Sequence, residues 1–304
     1  EIMDCSRVIN HPVAIYLTKL NSKKSRRTMR CNLDLAVKSL KASNDVLTFN
    51  WSLLSESLVR MMLNRVAGDH SPATINTALS ALKGVAKVLW RQKILSNECY
   101  AEIADIKSYR GARKGSGRML ERREIRALFD YLDKNPDIRA TRDAALISVM
   151  LGCGLRRSEV AGLKMEDIDL KKHSFVVIGK GNKQKICYLP EDSFKRLKLW
   201  LEYRGTDPGF LFYALKRDGS LVEKGLTDQR VYDIMRELCA AVKLKRFSPH
   251  DLRRTYASYL IDSGTDLITV RDLMGHASVS TTQIYDKRDE KRKQSASEKI
   301  DFAA

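Results

Sequence analysis

The stretch KSYRGARKGSGRML, Lys107 to Leu120, divides the chain. It holds three glycines and five basic residues with no acidic one. Glycine loosens the backbone and a run of like charge resists packing, so a linker is expected there. Each flank must then bury a core of its own. With 304 residues, 43% of them hydrophobic, the chain is long enough for two ordinary domains. We expect a helical domain over residues 1–106, a basic linker over 107–118, and a second domain over 119–304 ending in a charged tail helix.

The first part reads as helices. HPVAIYLTKL, RCNLDLAVKSL, WSLLSESLVRMMLNRV and SPATINTALSALKGVAKVLW each repeat apolar residues at three and four. Ser71 is placed as an N-cap with Pro72 in the first turn. The basic run SKKSRRTMR, Ser22 to Arg30, is either a solvated helix face or a surface for phosphates, through Lys23, Lys24, Arg26 and Arg27.

The second part is mostly helical with one clear strand signal. SFVVIG and KICYLP flank KGNKQ, which reads as a hairpin with a Gly/Asn turn. DAALISVMLGCGL is apolar all round and belongs in a core. SPHDLRRTYASYLIDSG has Ser248 as N-cap, Pro249 at the first position and Gly264 as a stop. The expected fold is α+β: mostly α, with a small antiparallel β-sheet.

Charge narrows the partners. The chain carries 55 Lys+Arg against 37 Asp+Glu, a net charge of +18, which favours polyanions. A membrane span is not expected, because the longest apolar run, Ala144 to Leu155, is twelve residues and a span needs about twenty. Six scattered cysteines with no C-x-x-C pair read as reduced thiols of a cytoplasmic protein. There is no zinc spacing, and GKGNK lacks the spacing of a Walker loop, so neither metal nor nucleotide cofactor is expected. The linker's Arg110, Arg113 and Lys114 are placed to follow a phosphate backbone.

Chemistry-bearing residues gather late in the chain. His250 shares a helix face with Arg253, three residues on, and geometry places Arg254 there equally well. GCGLRRSEV sets Arg156 and Arg157 just after a glycine-bounded helix end. Lys180 sits at the hairpin tip, His276 follows Gly275, and Tyr285 lies in STTQIYDKR, which looks like a short helix.

Taken together, GLRRSEVAGL, VIGKGNKQ, SPHDLRRTYASYL and LMGHASVSTTQIYDK resemble the tyrosine recombinases, and most closely their Xer-like members. The resemblance is strong from about Leu120 to Arg292, and the first 106 residues share only length and texture with the family's helical core-binding domain. It implies a site-specific DNA recombinase working through a 3′-phosphotyrosyl intermediate. Arg156 and Arg253 would grip the scissile phosphate, and Lys180 would be the general acid. His250 and His276 would hydrogen-bond the phosphate and assist proton transfer. Tyr285 would be the nucleophile, with Glu159 supporting the site. The family pattern chooses Arg156 over Arg157 and Arg253 over Arg254. Arg254 itself stands where relatives often carry histidine.

The resemblance further implies a double-stranded DNA site, a dimer on one site, a tetramer in synapsis, and accessory proteins. It points to a nucleoid-associated protein of bacterial or mobile-element origin. Two guanidiniums suit phosphate oxygens and supply transition-state charge without a metal. The phosphotyrosyl bond keeps the energy of the broken one, so rejoining needs no ATP. The alternatives are a type IB topoisomerase-like enzyme, a non-catalytic DNA-binding protein on the same scaffold, and an RNA-binding module. The complete set of six residues argues against a decayed site, and no aromatic RNP motif is present.

Overall fold

Side-chain caps decide where most helices begin. Ser22, Ser55, Ser71, Ser96 and Thr227 each precede a helix and accept a hydrogen bond from the backbone N–H three residues on. The computed structural model describes residues 10–40, 45–111, 117–134, 136–179, 184–275, 278–279 and 282. The chain forms two compact units, Glu1–Gly115 and Ser116–Ala304.

The first unit contains α1 (Pro12–Thr18), α2 (Lys23–Ser39), α3 (Glu56–Ala67), α4 (Pro72–Arg91) and α5 (Asn97–Asp105). Helix α4 is its centre. Ile75, Leu79, Leu82, Ala86 and Leu89 form one buried row, and Ala78, Ala81, Val85 and Val88 form a second. Two rows bury most of the circumference, so α1, α2, α3 and α5 all pack on α4. Each buried Leu or Val contributes roughly 1.5–3 kcal/mol. The first residues of the expected linker lie on this unit. Asn76 and Tyr109 exchange two hydrogen bonds of 2.8 and 3.0 Å, and Lys83 Nζ donates to the carbonyls of Ala104 and Ile106. Residues 112–116, with Arg113 and Lys114, lie outside the described residues.

In the second unit the order is α6 (Arg122–Lys134), α7 (Ile138–Cys153), α8 (Arg157–Gly162), then strands β1 (Ile168–Asp169), β2 (Ser174–Ile178) and β3 (Gln184–Tyr188). There follow α9 (Glu191–Arg204), β4 (Tyr213–Leu215), β5 (Leu221–Gly225), α10 (Asp228–Ala241), α11 (Pro249–Asp262) and α12 (Leu267–Met274). Helix α7 is buried along Ala144–Met150 and packs against α6, α9 and α11. The sheet β1–β2–β3 is antiparallel, with Phe175 opposite Cys187 and Val176 opposite Ile186. Strand alternation sends Phe175, Val177 and Cys187 inward and leaves Val176, Ile178, Ile186 and Tyr188 exposed.

The fold is mostly helical with small antiparallel sheets, in line with the α+β reading, but there are two sheets where one was expected. Strands β4 and β5 pair around a turn in which Asp218 Oδ1 accepts from the Ser220 N–H and hydroxyl. They have only three and five residues, with a register shift after Tyr213, so no alternation develops.

An ion pair fastens α7 to this hairpin. Arg142 Nε and Nη2 donate to Asp143 Oδ1 at 2.9 and 2.7 Å, and Nη1 donates to the Tyr213 carbonyl at 3.4 Å. Both residues are buried. Burial pushes the Asp143 acid up, and Arg142 opposes that shift. Replacing Arg142 strands a buried carboxylate, so Arg142→Met should lower the unfolding free energy of this unit by about 3 kcal/mol at pH 7. The loss should shrink as pH falls, because a raised folded-state acid is relieved once it protonates. Urea unfolding of the full chain at several pH values checks both points, and a pH-independent loss would contradict this account.

Candidate active site

Helix α7 cannot run past Cys153. Gly154 takes the left-handed conformation, φ 58°, as its C-cap. A Cβ there would lie 2.3 Å from Tyr256 Cδ1, so position 154 has room only for glycine. The turn delivers Arg156 to the N-cap of α8. The Glu159 carboxylate, at N3, closes the turn. Its Oε2 accepts from the Arg156 N–H at 2.9 Å and its Oε1 from Arg156 Nη1 at 2.5 Å.

Arg253 reaches the same place from α11. Its Nη1 donates to the Gly154 carbonyl at 2.6 Å and its Nη2 to the Met274 carbonyl at 2.5 Å. Those carbonyls lie at the C-terminal ends of α7 and α12, where helices leave acceptors without partners inside the helix. Arg253 Nη1 also stands 4.0 Å from Glu159 Oε2. One carboxylate thus lies against both arginines. Their exposure differs. The Arg156 side chain is 37% accessible and the Arg253 side chain 2%. Arg253 braces the site from behind, and Arg156 faces outward. His250, at the second position of α11, is exposed.

The sequence pattern of the phage integrase family matches residues 118–292, a stretch that holds every one of these residues. The chain belongs to that family. It is 31% identical to the tyrosine recombinase XerC of Myxococcus xanthus over 248 residues, covering 77% of this chain and 78% of that protein. Among solved structures, XerH recombinase bound to a palindromic difH substrate superposes with a TM-score of 0.65, at 20% identity over 98% of each chain. The Tn1549 transposon integrase in complex with a circular intermediate DNA gives 0.69, at 17% identity over 96% of this chain and 99% of that one. At those identities the structures speak to the fold.

The structure brings Arg156, Glu159 and Arg253 together beside His250. Lys180, His276 and Tyr285 lie outside the described residues. Lys23, Lys24, Arg26 and Arg27 are exposed on the first two turns of α2, and Arg110 is exposed after Tyr109. Among the described residues, no group of three His, Cys, Asp or Glu is placed to hold a metal ion, and no helix is long and apolar enough to cross a membrane.

Sequence reading missed Lys185. Its Nζ donates to the Leu273 carbonyl at 3.2 Å, and its charge acts on Glu159. Strand alternation carried the signal, since Lys185 shares the inward face of β3 with Cys187. Burial opposes the charge on Glu159. The bonds from Arg156 and the charges of Lys185 and Arg156 outweigh it and hold the carboxyl below its ordinary range. Tyr256 behaves oppositely: burial pushes its phenol up, which makes it a poor nucleophile.

Partial burial lowers the His250 pKa, and the charges of Arg254, Arg253 and Arg156 add to it against the opposing Asp251. The ring is therefore neutral at pH 7, able to donate from one nitrogen and accept at the other. The native state disfavours the charged ring, so stability should fall as pH drops below the unfolded value of about 6.5. In an NMR titration of the free protein, His250 should titrate below 6.5, and Arg254→Ala should move its midpoint upward. A midpoint unmoved by that substitution would contradict the electrostatic account.

Proposed function

We propose that this chain cuts and rejoins DNA by attack of Tyr285 on a phosphate held by Arg156, Arg253, His250 and His276, with Lys180 as general acid. Membership of the family establishes the class of activity, site-specific DNA recombination by a tyrosine recombinase. The observation that carries the residue roles is the Glu159 carboxylate set between the two arginines, with His250 beside them.

The step balances without a cofactor. The Tyr285 oxygen bonds to phosphorus and gives up its proton with help from His276. The P–O5′ bond breaks, and the leaving oxygen takes a proton from Lys180. A 3′-phosphotyrosyl link and a free 5′ hydroxyl result. The 5′ hydroxyl of a second strand then attacks that link and restores a phosphodiester. The pentavalent transition state carries more charge on its equatorial oxygens than the ground state, so preorganised guanidiniums favour it selectively. Arg156 is the arginine open to an arriving phosphate, and Arg253 holds the helix ends that frame it.

DNA would lie along basic surfaces. The first turn of α2 has no acidic residue, and Lys23 and Lys24 stand at its positive end. Cations there oppose the helix dipole by roughly 0.3–1 kcal/mol each, a strain that phosphate contact relieves. Arg26 and Arg27 are exposed on the same helix and Arg110 is exposed farther along the chain, and by sequence Arg113 and Lys114 would add to the basic stretch. The protein would act at the nucleoid, as a dimer on one DNA site and a tetramer when two sites pair. The segment from Lys287 onward, ending in DFAA, would join the subunits. Its acceptor would be the groove of about 760 Å³ between α6, α7, α9 and α11, lined by Ile125, Phe129, Leu151, Leu199, Tyr256 and Tyr259.

Two experiments test this reading. On a nicked suicide substrate in buffer containing EDTA, the unaltered chain should form a covalent DNA adduct. Tyr285→Phe should abolish it while half-site binding stays within about three-fold. An adduct that persists in the variant would remove Tyr285 from its role. Deleting residues 294–304 should weaken cooperative binding to a two-site DNA about ten-fold or more, the equivalent of one buried large side chain, and reduce recombination. Half-site binding should be kept. Undiminished cooperativity would show that the tail does not join subunits.

A further inference from the structure

Where the chain enters the second unit it is fastened to the helix that carries His250 and Arg253. The Arg118 N–H donates to Asp251 Oδ1 at 2.7 Å, and the Leu120 N–H donates to Thr255 Oγ1 at 2.9 Å. The Tyr259 hydroxyl donates to the Leu120 carbonyl at 3.1 Å. Positions 251, 255 and 259 are four apart and share one face of α11. Residues 117–120 therefore run as a strap along that face. The Arg118 side chain locks the strap in place through Glu124 Oε2 at 2.6 Å and the carbonyls of Lys245 and Arg246 at 2.6 and 3.3 Å. The fit is close. A Cβ on Gly117 would meet the Arg254 guanidinium at 3.0 Å and Asp251 Oδ1 at 3.1 Å.

Asp251 joins the strap to the helix end. Its Oδ1 holds Arg118, and its Oδ2 accepts from the Ser248 N–H and hydroxyl at 2.8 and 2.7 Å. It is 6% exposed and stands between His250 and Leu252. Helix capping alone would use one of its oxygens. The second oxygen ties α11 to a segment that leads directly into the basic stretch 107–118.

We propose that Asp251 is a positioning residue. By fastening α11 to the strap, it sets the rotation of that helix and so the direction in which His250 and Arg253 face the scissile phosphate. A pull on the basic segment as it engages DNA would reach α11 first at Asp251, the strap contact nearest His250 and Arg253. The proposal rests on the reading of His250 and Arg253 as phosphate-holding groups.

The test is single-turnover cleavage of a suicide substrate by the full chain. One substrate carries the normal phosphate and the other a methylphosphonate, which removes one charged oxygen and with it much of the need for guanidinium contact. Misplacement of catalytic groups by about 1 Å costs up to 100-fold in rate, so Asp251→Ala should cleave the phosphate about 30-fold more slowly. Half-site binding should stay within about three-fold, and on the methylphosphonate the deficit should shrink to about three-fold or less. Ser248→Ala removes the capping hydroxyl and leaves the strap, so it should cleave at close to the normal rate. Arg118→Pro removes the N–H that Asp251 accepts while leaving the carboxylate in place, and should reproduce the Asp251→Ala pattern if that variant fails to fold. Three results would overturn the proposal: normal cleavage by both strap variants, equal slowing by Ser248→Ala, or a deficit that is the same on both substrates. Adduct formation by Arg253→Ala at the normal rate would instead remove the reading of the phosphate site on which the proposal stands.

Discussion

The Arg253 guanidinium holds together the ends of two helices that do not otherwise have to meet. Its bonds to the Gly154 and Met274 carbonyls tie the C-termini of α7 and α12 to α11. A guanidinium can do this because its donors form a rigid planar fork, and the orphan carbonyls of a helix end concentrate negative potential. Burying that charge would be costly without compensation. The compensation comes from those carbonyls and from Glu159, itself buried and kept ionised by Arg156 and Lys185. The site is a charge network first and a surface second. Removing any one member leaves another buried and unmatched.

Much of this was legible in the sequence, and the reasons are local. Ser248, Pro249 and Gly264 announced the bounds of α11, and the apolar run after Arg142 announced a buried α7. Gly154 before Leu155 and Arg156 announced a helix end. Glu159 entered the sequence reading only through family resemblance and Asp251 not at all, though each stands at N3 of its helix. What the sequence hid is longer in range. The strap at Arg118 meets its partner 133 positions away, and Lys185 meets Leu273 across 88. No periodicity reports such pairs. Strands β4 and β5 were hidden for a different reason, being too short for alternation to show.

The sequence also left the choice between paired arginines open. Arg253 and Arg254 both lie near the His250 face by spacing, and Arg156 and Arg157 are adjacent. Packing separates them. Arg253 is buried against two helix ends, whereas Arg254 stands at the strap beside Gly117. Arg156 bonds Glu159 through Nη1 while keeping its side chain partly open, whereas Arg157 points to Asp228 on α10 at 3.5 Å. The arginines that family resemblance selected are those that share Glu159.

Basic side chains stand at several helix N-termini, the end where the dipole disfavours positive charge. Lys23 and Lys24 open α2, Arg156 caps α8, and His250 takes the second position of α11 amid three arginines. An ordinary helix would put acids there. In α8 and α11 a single acid at N3, Glu159 or Asp251, meets the local N–H groups and part of the positive potential. In α2 no acid does so. An arrangement that works against its own helices persists when an outside anion completes it, because the exposed N–H groups and the cations then share one partner. His250 is held neutral in the free protein first by partial burial and then by the same arginines. The surrounding arginines oppose its proton, and a bound phosphate brings the charge that would let it take one. Phosphate binding and proton readiness are therefore linked through the same few side chains.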